Sequence, residues 1–273
     1  MKKCFKIFFF SLLLIILSGD ASSSSMRIIS LKPAITDIIV AMGHGEMLVG
    51  VTKYCDIPED IKKPKIAGDY TKPYIERIIA LKPDLVLNSK ENSSKKSYES
   101  LKSTGIDVIL FQFKDTKDML NSINGIGMAI GKPEDALKLS RRMEKEMTFL
   151  KKRYSNLDKL RVLILWGRRP MVAAGPASYM DEYLKTIGAR NAIENTKIAY
   201  PRIGIEELIA IDPDIIVDLS MGSESGVDNK SIMQISALKA VKNKRIYTMN
   251  AGDFRLSPNI IDGLNKLAKV VHE

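Results

Sequence analysis

The sequence predicts an α/β protein of two lobes with parallel sheets and one long helix between them. Short aliphatic runs alternate with helical patterns along the chain, which is the alternation of α/β lobes. A twelve-residue segment recurs 130 residues downstream of itself. A third stretch, Pro133 to Tyr154, reads as one uninterrupted helix.

The strand candidates are Arg27 to Leu31, Leu85 to Leu87, Val108 to Phe111, Arg161 to Leu165, Ile215 to Asp218 and Arg245 to Thr248, each with a helical pattern after it. Runs this short and apolar suit parallel sheet covered on both faces. The repeat reads E-R-I-I-A-L-K-P-D-L-V-L from Glu76 and E-E-L-I-A-I-D-P-D-I-I-V from Glu206. That spacing is too long for a solenoid period and means two similar lobes. Each copy is a short amphipathic helix, stopped by Pro83 or Pro213, that feeds a strand. Proline disfavours helical geometry in the residue before it, so Lys82 and Asp212 should end the helices.

In the long helix, Pro133 suits the first turn, Glu134 and Asp135 complement its positive end, and Lys151, Lys152 and Arg153 its negative end. Ala136, Leu139, Met143, Met147 and Leu150 recur at three- and four-residue steps as one apolar stripe. At 1.5 Å per residue the helix reaches roughly 33 Å, the span of a domain. It can tie two lobes together; the pattern alone equally suits a packing helix inside one lobe. The expected organisation is a signal peptide over 1–21, an N-terminal lobe over 26–132, the bridging helix over 133–155 and a C-terminal lobe over 156–273.

The signal reading rests on Met1-Lys2-Lys3, the apolar run from Phe8 to Leu17, and Gly19 and Ala21 at the positions small residues take before cleavage. An uncleaved anchor is the competing reading, but the run falls short of the roughly 20 residues a span needs. Cys4 lies in the basic leader rather than at the cleavage point, so a free periplasmic protein is expected. Cys55 is then the only cysteine of the mature chain, and stability must come from apolar cores. The net charge of +10 raises a nucleic-acid reading, but the lysines are scattered over presumed helix surfaces. A solvated basic surface is the better account.

Several blocks together resemble the periplasmic binding proteins for cobalamin and ferric siderophores. They are R-I-I-S-L-K-P-A-I-T-D-I-I-V-A-M-G from Arg27, V-G-V-T-K-Y-C-D-I-P from Val49, both copies of the repeat, A-G-P-A-S-Y-M-D-E-Y-L from Ala174 and F-R-L-S-P from Phe254. The resemblance implies Rossmann-like lobes bridged by a single helix (class III periplasmic binding protein), with ligand in the cleft between them. The Y-C-D-I-P block is most similar to the cobalamin binders, with haem or a ferric siderophore as the alternative. It implies a monomeric receptor without a cofactor of its own, whose cargo contains cobalt or iron, and whose partner is an ABC permease dimer with its ATPase subunits.

On that resemblance Tyr54 matches a pocket tyrosine, while Tyr70 and Tyr200 stand where the family has tryptophan. Arg255 falls where the family has a basic residue at the pocket mouth. Trp166, followed by Gly167-Arg168-Arg169-Pro170, is placed at a strand end facing the cleft. Arg168, Arg202 and Arg255 offer a basic cluster for ligand carboxylates, phosphate or catecholates. Core packing for the aromatics and solvated surface for the arginines stand beside these readings. Glu76 and Glu206 are the acidic residues repeated at the same place in both copies. The family uses matching glutamates as salt-bridge partners of permease arginines; the competing account is N-terminal helix stabilisation.

Other motifs carry less. Gly125, Gly127 and Gly131 have the wrong spacing for a nucleotide fingerprint, and helix packing explains them better. His44, between two glycines, reads as a turn residue rather than an axial ligand, and Cys55 as a packed thiol. With no Walker lysine, H-E-x-x-H or G-x-S-x-G, nothing supports an enzyme.

Overall fold

Alternation along the strands sorts the aliphatic side chains onto the two faces of each sheet. The computed structural model describes residues 25–69, 72–91, 94–157, 159–168, 170–219, 230–233 and 235–273, with backbone only at 168, 230 and 231. The signal-peptide segment therefore lies outside the described residues. The first sheet holds β1 (Ile28–Ser30), β2 (Leu48–Thr52), β3 (Lys65–Gly68), β4 (Leu85–Ser89) and β5 (Asp107–Phe111), all parallel, in the order β3-β2-β1-β4-β5. Ile28, Leu85 and Leu87 face one side, where they pack with α1 (Pro33–Ala41) and α4 (Thr116–Ala129). Ile29 and Val86 face the other, against Ile78 of α2 (Ile75–Ala80) and Leu101 of α3 (Lys95–Lys102). This is the period of two expected of a strand buried on both faces.

The second sheet is ordered β10-β9-β6-β7, from β6 (Arg161–Arg168), β7 (Met171–Ala173), β9 (Ile215–Asp218) and β10 (Ile246–Thr248), with the short β8 (Arg190–Asn191) also on β6. Val162, Ile164, Ile215 and Val217 pack with α6 (Tyr179–Thr186) and α10 (Ile260–His272). Leu163, Leu165 and Ile216 face Leu208 of α7 (Ile205–Ile211) and Ala240 of α9 (Lys239–Lys242). The short α8 (Lys230–Met233) completes the set of described α-helices.

Two expectations need correction here. β6 does not stop at Leu165 and lead into a helix; it runs on to Arg168 and turns back into β7, which is antiparallel to it. The second sheet is therefore mixed, because Gly167 and Pro170 belong to a turn-forming segment that lets a hairpin compete with a crossover. Strands β2, β3, β7 and β8 were not expected at all. In β2, a Cβ on Gly50 would stand 3.0–3.1 Å from Ile29, Ala67 and Leu81, so the glycine marks close approach rather than a loop.

The repeat takes the expected form, helix then proline then buried strand, in both halves. α2 ends at Ala80 and α7 at Ile211, and Lys82 (φ 46°) and Asp212 (φ 41°) both adopt the left-handed conformation before their prolines. A second duplicated feature holds each copy in place. The Arg27 N–H donates to Asp84 Oδ2 (2.7 Å) and its guanidinium to the carbonyls of Leu81 (2.7 Å) and Lys82 (3.0 Å). In the second half the Arg161 N–H donates to Asp214 Oδ2 (2.8 Å) and its guanidinium to the carbonyls of Ile211 (2.7 Å) and Asp212 (3.4 Å). An arginine beside each first strand thus satisfies carbonyls left open at a helix end.

Between the sheets, α5 (Pro133–Tyr154) has the expected bounds. Ala136, Leu139, Met143 and Leu150 are buried in one apolar cluster with side chains from both sheets. Gly127 serves packing: a Cβ there would collide with Ala136 and come 2.8 Å from the Lys132 carbonyl. Gly127→Val is expected to cost about 1–3 kcal/mol of stability by overpacking, which urea denaturation would measure.

Candidate ligand-binding cleft

Parallel α/β sheets expose their loops at the carboxyl ends of the strands, and ligands bind where neighbouring connections diverge. In the first sheet that point lies between β1 and β4, since the chain leaves β1 toward β2 and returns to β4 on the other side. Lys32, Pro33 and Ala34 follow β1, and Glu91 follows β4. With Tyr54 after β2 and Phe113 after β5 they form one wall of a cavity of about 650 Å³. The opposite wall comes from the second half: Trp166 on β6, Leu219 after β9, and Ala251, Gly252, Arg255 and Leu256 after β10, with Tyr179 and Tyr200. The volume falls within the roughly 300–1,000 Å³ usual for small-molecule sites.

The aromatic rings are partly open to this space. Tyr54 is 37% and Trp166 36% exposed, which excludes core packing for both. Tyr200 leans on Trp166 with ring centroids 6.1 Å apart and planes at 44°. Lys32 Nζ sits 5.2 Å from the centre of the Phe113 ring, and a Glu91 carboxylate oxygen accepts the Phe113 N–H at 2.9 Å. The walls therefore offer flat apolar faces with a few charged groups, Lys32, Glu91 and Arg255, among them.

Of the residues expected at a binding site, the structure brings Tyr54, Trp166, Tyr200 and Arg255 together. Tyr70 and the Arg168 side chain lie outside the described residues. Arg202 does not join the cavity wall: it is exposed, and its backbone bridges to Val172. The flanking bonds from Ala173 N–H to Pro201 O and from Ile203 N–H to Met171 O strap this segment to β7. The expected arginine cluster is thus corrected to Arg255 among the described arginine side chains, and Arg255 is itself engaged, 3.0 Å from Asp56. Sequence reasoning missed Lys32, Glu91, Phe113 and Tyr179. Lys32, Glu91 and Phe113 each stand two residues beyond the ends of β1, β4 and β5, and that position is their only signal.

His44 packs away from the cavity, Nε2 lying 2.8 Å from Asp135 Oδ2 at the start of α5. Cys55 is a packed thiol in contact with the hydroxyls of Thr36 (3.1 Å) and Thr52 (3.2 Å). Burial raises its pKa, and the two threonines oppose the rise. Among the described residues no cluster of three or more His, Cys, Asp or Glu is placed to hold a metal ion.

The chain matches the periplasmic binding protein family over residues 28–251. It belongs to that family. A vitamin B12-binding protein of Vibrio parahaemolyticus is 27% identical over 225 residues, covering 82% of this chain and 81% of the relative. Among solved structures, a periplasmic vitamin B12-binding protein of Vibrio cholerae superposes with a TM-score of 0.76 at 23% identity, covering 90% of this chain and 96% of the other. A periplasmic heme-binding protein of Roseiflexus does so with a TM-score of 0.81 at 24% identity, covering 90% and 97%. At those identities the two structures establish the shared fold. Glu76 and Glu206 of this periplasmic binding protein are both exposed, each the second residue of its helix.

Proposed function

We propose that this chain is the extracytoplasmic receptor of an ABC importer, capturing cobalamin or a related corrinoid in the cleft and handing it to the permease. The observation that carries the reading is the aromatic cleft at the carboxyl ends of two facing sheets, in a chain whose relatives over most of its length are named for vitamin B12. Tyr54, Trp166 and Tyr200 present ring faces that pack on a flat macrocycle. Lys32 and Arg255 in the same walls favour a second reading, a haem or ferric siderophore whose carboxylates or catecholates meet the cations. Residues 1–21 act as a cleavable signal, the mature protein works in the periplasm, and the lobes divide at the helix over 133–155.

Docking falls to Glu76 and Glu206. A permease that is a two-fold dimer offers the same surface twice, and a monomeric receptor meets it with one matching feature on each half. Exposed isoleucines accompany both glutamates: Ile79 on α2, and Ile205 and Ile209 on α7, are 43–58% exposed.

The single tryptophan reports on the cleft, so titration with cyanocobalamin, haemin and ferric siderophores is followed by its fluorescence. Saturable binding of cyanocobalamin is expected; affinity for haemin alone would replace the first reading by the second. Tyr54→Ala is expected to weaken binding about 5- to 150-fold, the loss of about 1–3 kcal/mol for an aromatic anchor.

A further inference from the structure

One cavity-lining side chain carries three polar contacts from one half to the other. Arg255 belongs to the second half, yet its Nη1 lies 3.0 Å from Asp56 Oδ2 and 3.9 Å from Asp37 Oδ2, and its Nη2 donates to the Tyr54 carbonyl at 3.4 Å. All three partners belong to the first half. The Asp56 side chain is 78% exposed, and an exposed pair contributes little by itself. Asp37 is the opposite case: its side chain is 3% exposed, and its Oδ2 accepts no hydrogen bond.

A buried carboxylate without full hydrogen bonding is costly in its charged form. Burial raises the Asp37 pKa to about 6, against the pull of the Ser257 hydroxyl and the Arg255 guanidinium, with Asp56 adding to the rise. The groups facing it are Arg255 and Ser257 from the second half and Asp56 and Cys55 from the loop after β2. Because its folded pKa lies above the unfolded value of 3.8, the stability tied to its protonation is fully present below that value and lost as pH rises through about 6. At neutral pH the charged form is thus retained at the expense of stability, and what it gains is a fixed partner for Arg255.

We propose that Asp37, Arg255 and Asp56 form a clasp across the cleft mouth, with Asp37 positioning the Arg255 guanidinium so that the separation of the two walls is held constant. The clasp gives the proposed ligand a mouth of set width. Its charge is also occupied, so a ligand carboxylate reaches Arg255 only by displacing Asp56. Neutralising Asp37 leaves Arg255 on its exposed partner and loosens the mouth.

The test uses ligand-free protein, so that failure of the clasp and failure of the ligand reading are read separately. Spin labels at Lys90 and Lys197, one exposed position on each half, in a Cys55→Ala chain report wall separation by pulsed spin resonance. A narrow distance distribution is expected at pH 7.5, broadened or shifted in Arg255→Met and in Asp37→Asn, with Arg255→Lys restoring it in part. Lowering the pH from 7.5 to 5 should broaden the unsubstituted chain and leave Asp37→Asn unchanged, although the same acidification raises its melting temperature. Asp56→Asn, which removes an exposed group, supplies the result if Arg255→Met fails to fold. Identical distributions in all folded variants, or a pH response that survives in Asp37→Asn, would overturn the proposal.

Discussion

Glu76→Gln combined with Glu206→Gln is expected to reduce transport and receptor-stimulated ATPase activity at least about tenfold while leaving ligand affinity unchanged. Truncating one partner of an interfacial charge pair costs about 2–5 kcal/mol when the pair is desolvated on docking. Both carboxylates stand exposed on the first turns of α2 and α7, and neither lines the cavity. The exposed isoleucines beside them supply apolar area that would exclude water from such a pair. Single variants should fall between the double variant and the unsubstituted chain, since in the proposed docking each half meets one copy of a two-fold surface. Helix stabilisation alone predicts something else: a carboxylate in the first turn contributes about 0.3–1 kcal/mol, so the double variant would lower the melting temperature and leave transport intact. Reconstituted transport and a melting curve on the same preparation separate the two accounts.

Arg161→Ala is expected to have the largest effect on stability, a loss of about 2–4 kcal/mol in urea denaturation, given that a hydrogen bond from a charged group contributes about 1.5–3 kcal/mol. The half-buried guanidinium holds the carbonyls of Ile211 and Asp212 and also reaches the Ala192 carbonyl at 3.5 Å. Without it the end of α7 and the left-handed Asp212 lose the partner that fixes them against β6. Arg27→Ala removes the equivalent brace of the first half but should cost less, because Arg27 is exposed and water replaces it. Equal losses from the two substitutions would mean that burial does not decide the strength of the brace.

Those two arginines also mark the limit of what the sequence discloses. The Glu-to-Pro-Asp repeat was legible because its signals are local: apolar spacing, a proline stop, an aliphatic run. The arginines belong to the same duplication, yet each braces a helix end 50 or more residues away, and no local pattern carries that relation. The short β7 escaped notice because Met171–Ala173 is too brief to show a period, and pairing with β6 alone makes it a strand. At the cleft, Tyr54, Trp166, Tyr200 and Arg255 converge as expected, while Arg202, only two residues from Tyr200, is held on β7 with its side chain in solvent. Proximity in sequence is a poor guide once a segment is strapped to a sheet edge. Lys32, Glu91 and Phe113 were hidden for a different reason: they have no distinctive chemistry, only a position just past a strand.

The braces sit at the start of the strands, whereas the cavity lies at their other end. Substitution at the cavity end therefore changes what is recognised without disturbing how the sheets are held, and the frame is free to be refitted to a new cargo by exchange of a few loop side chains. That proteins named for vitamin B12 and for heme share this frame is the outcome such a division of labour within each strand permits.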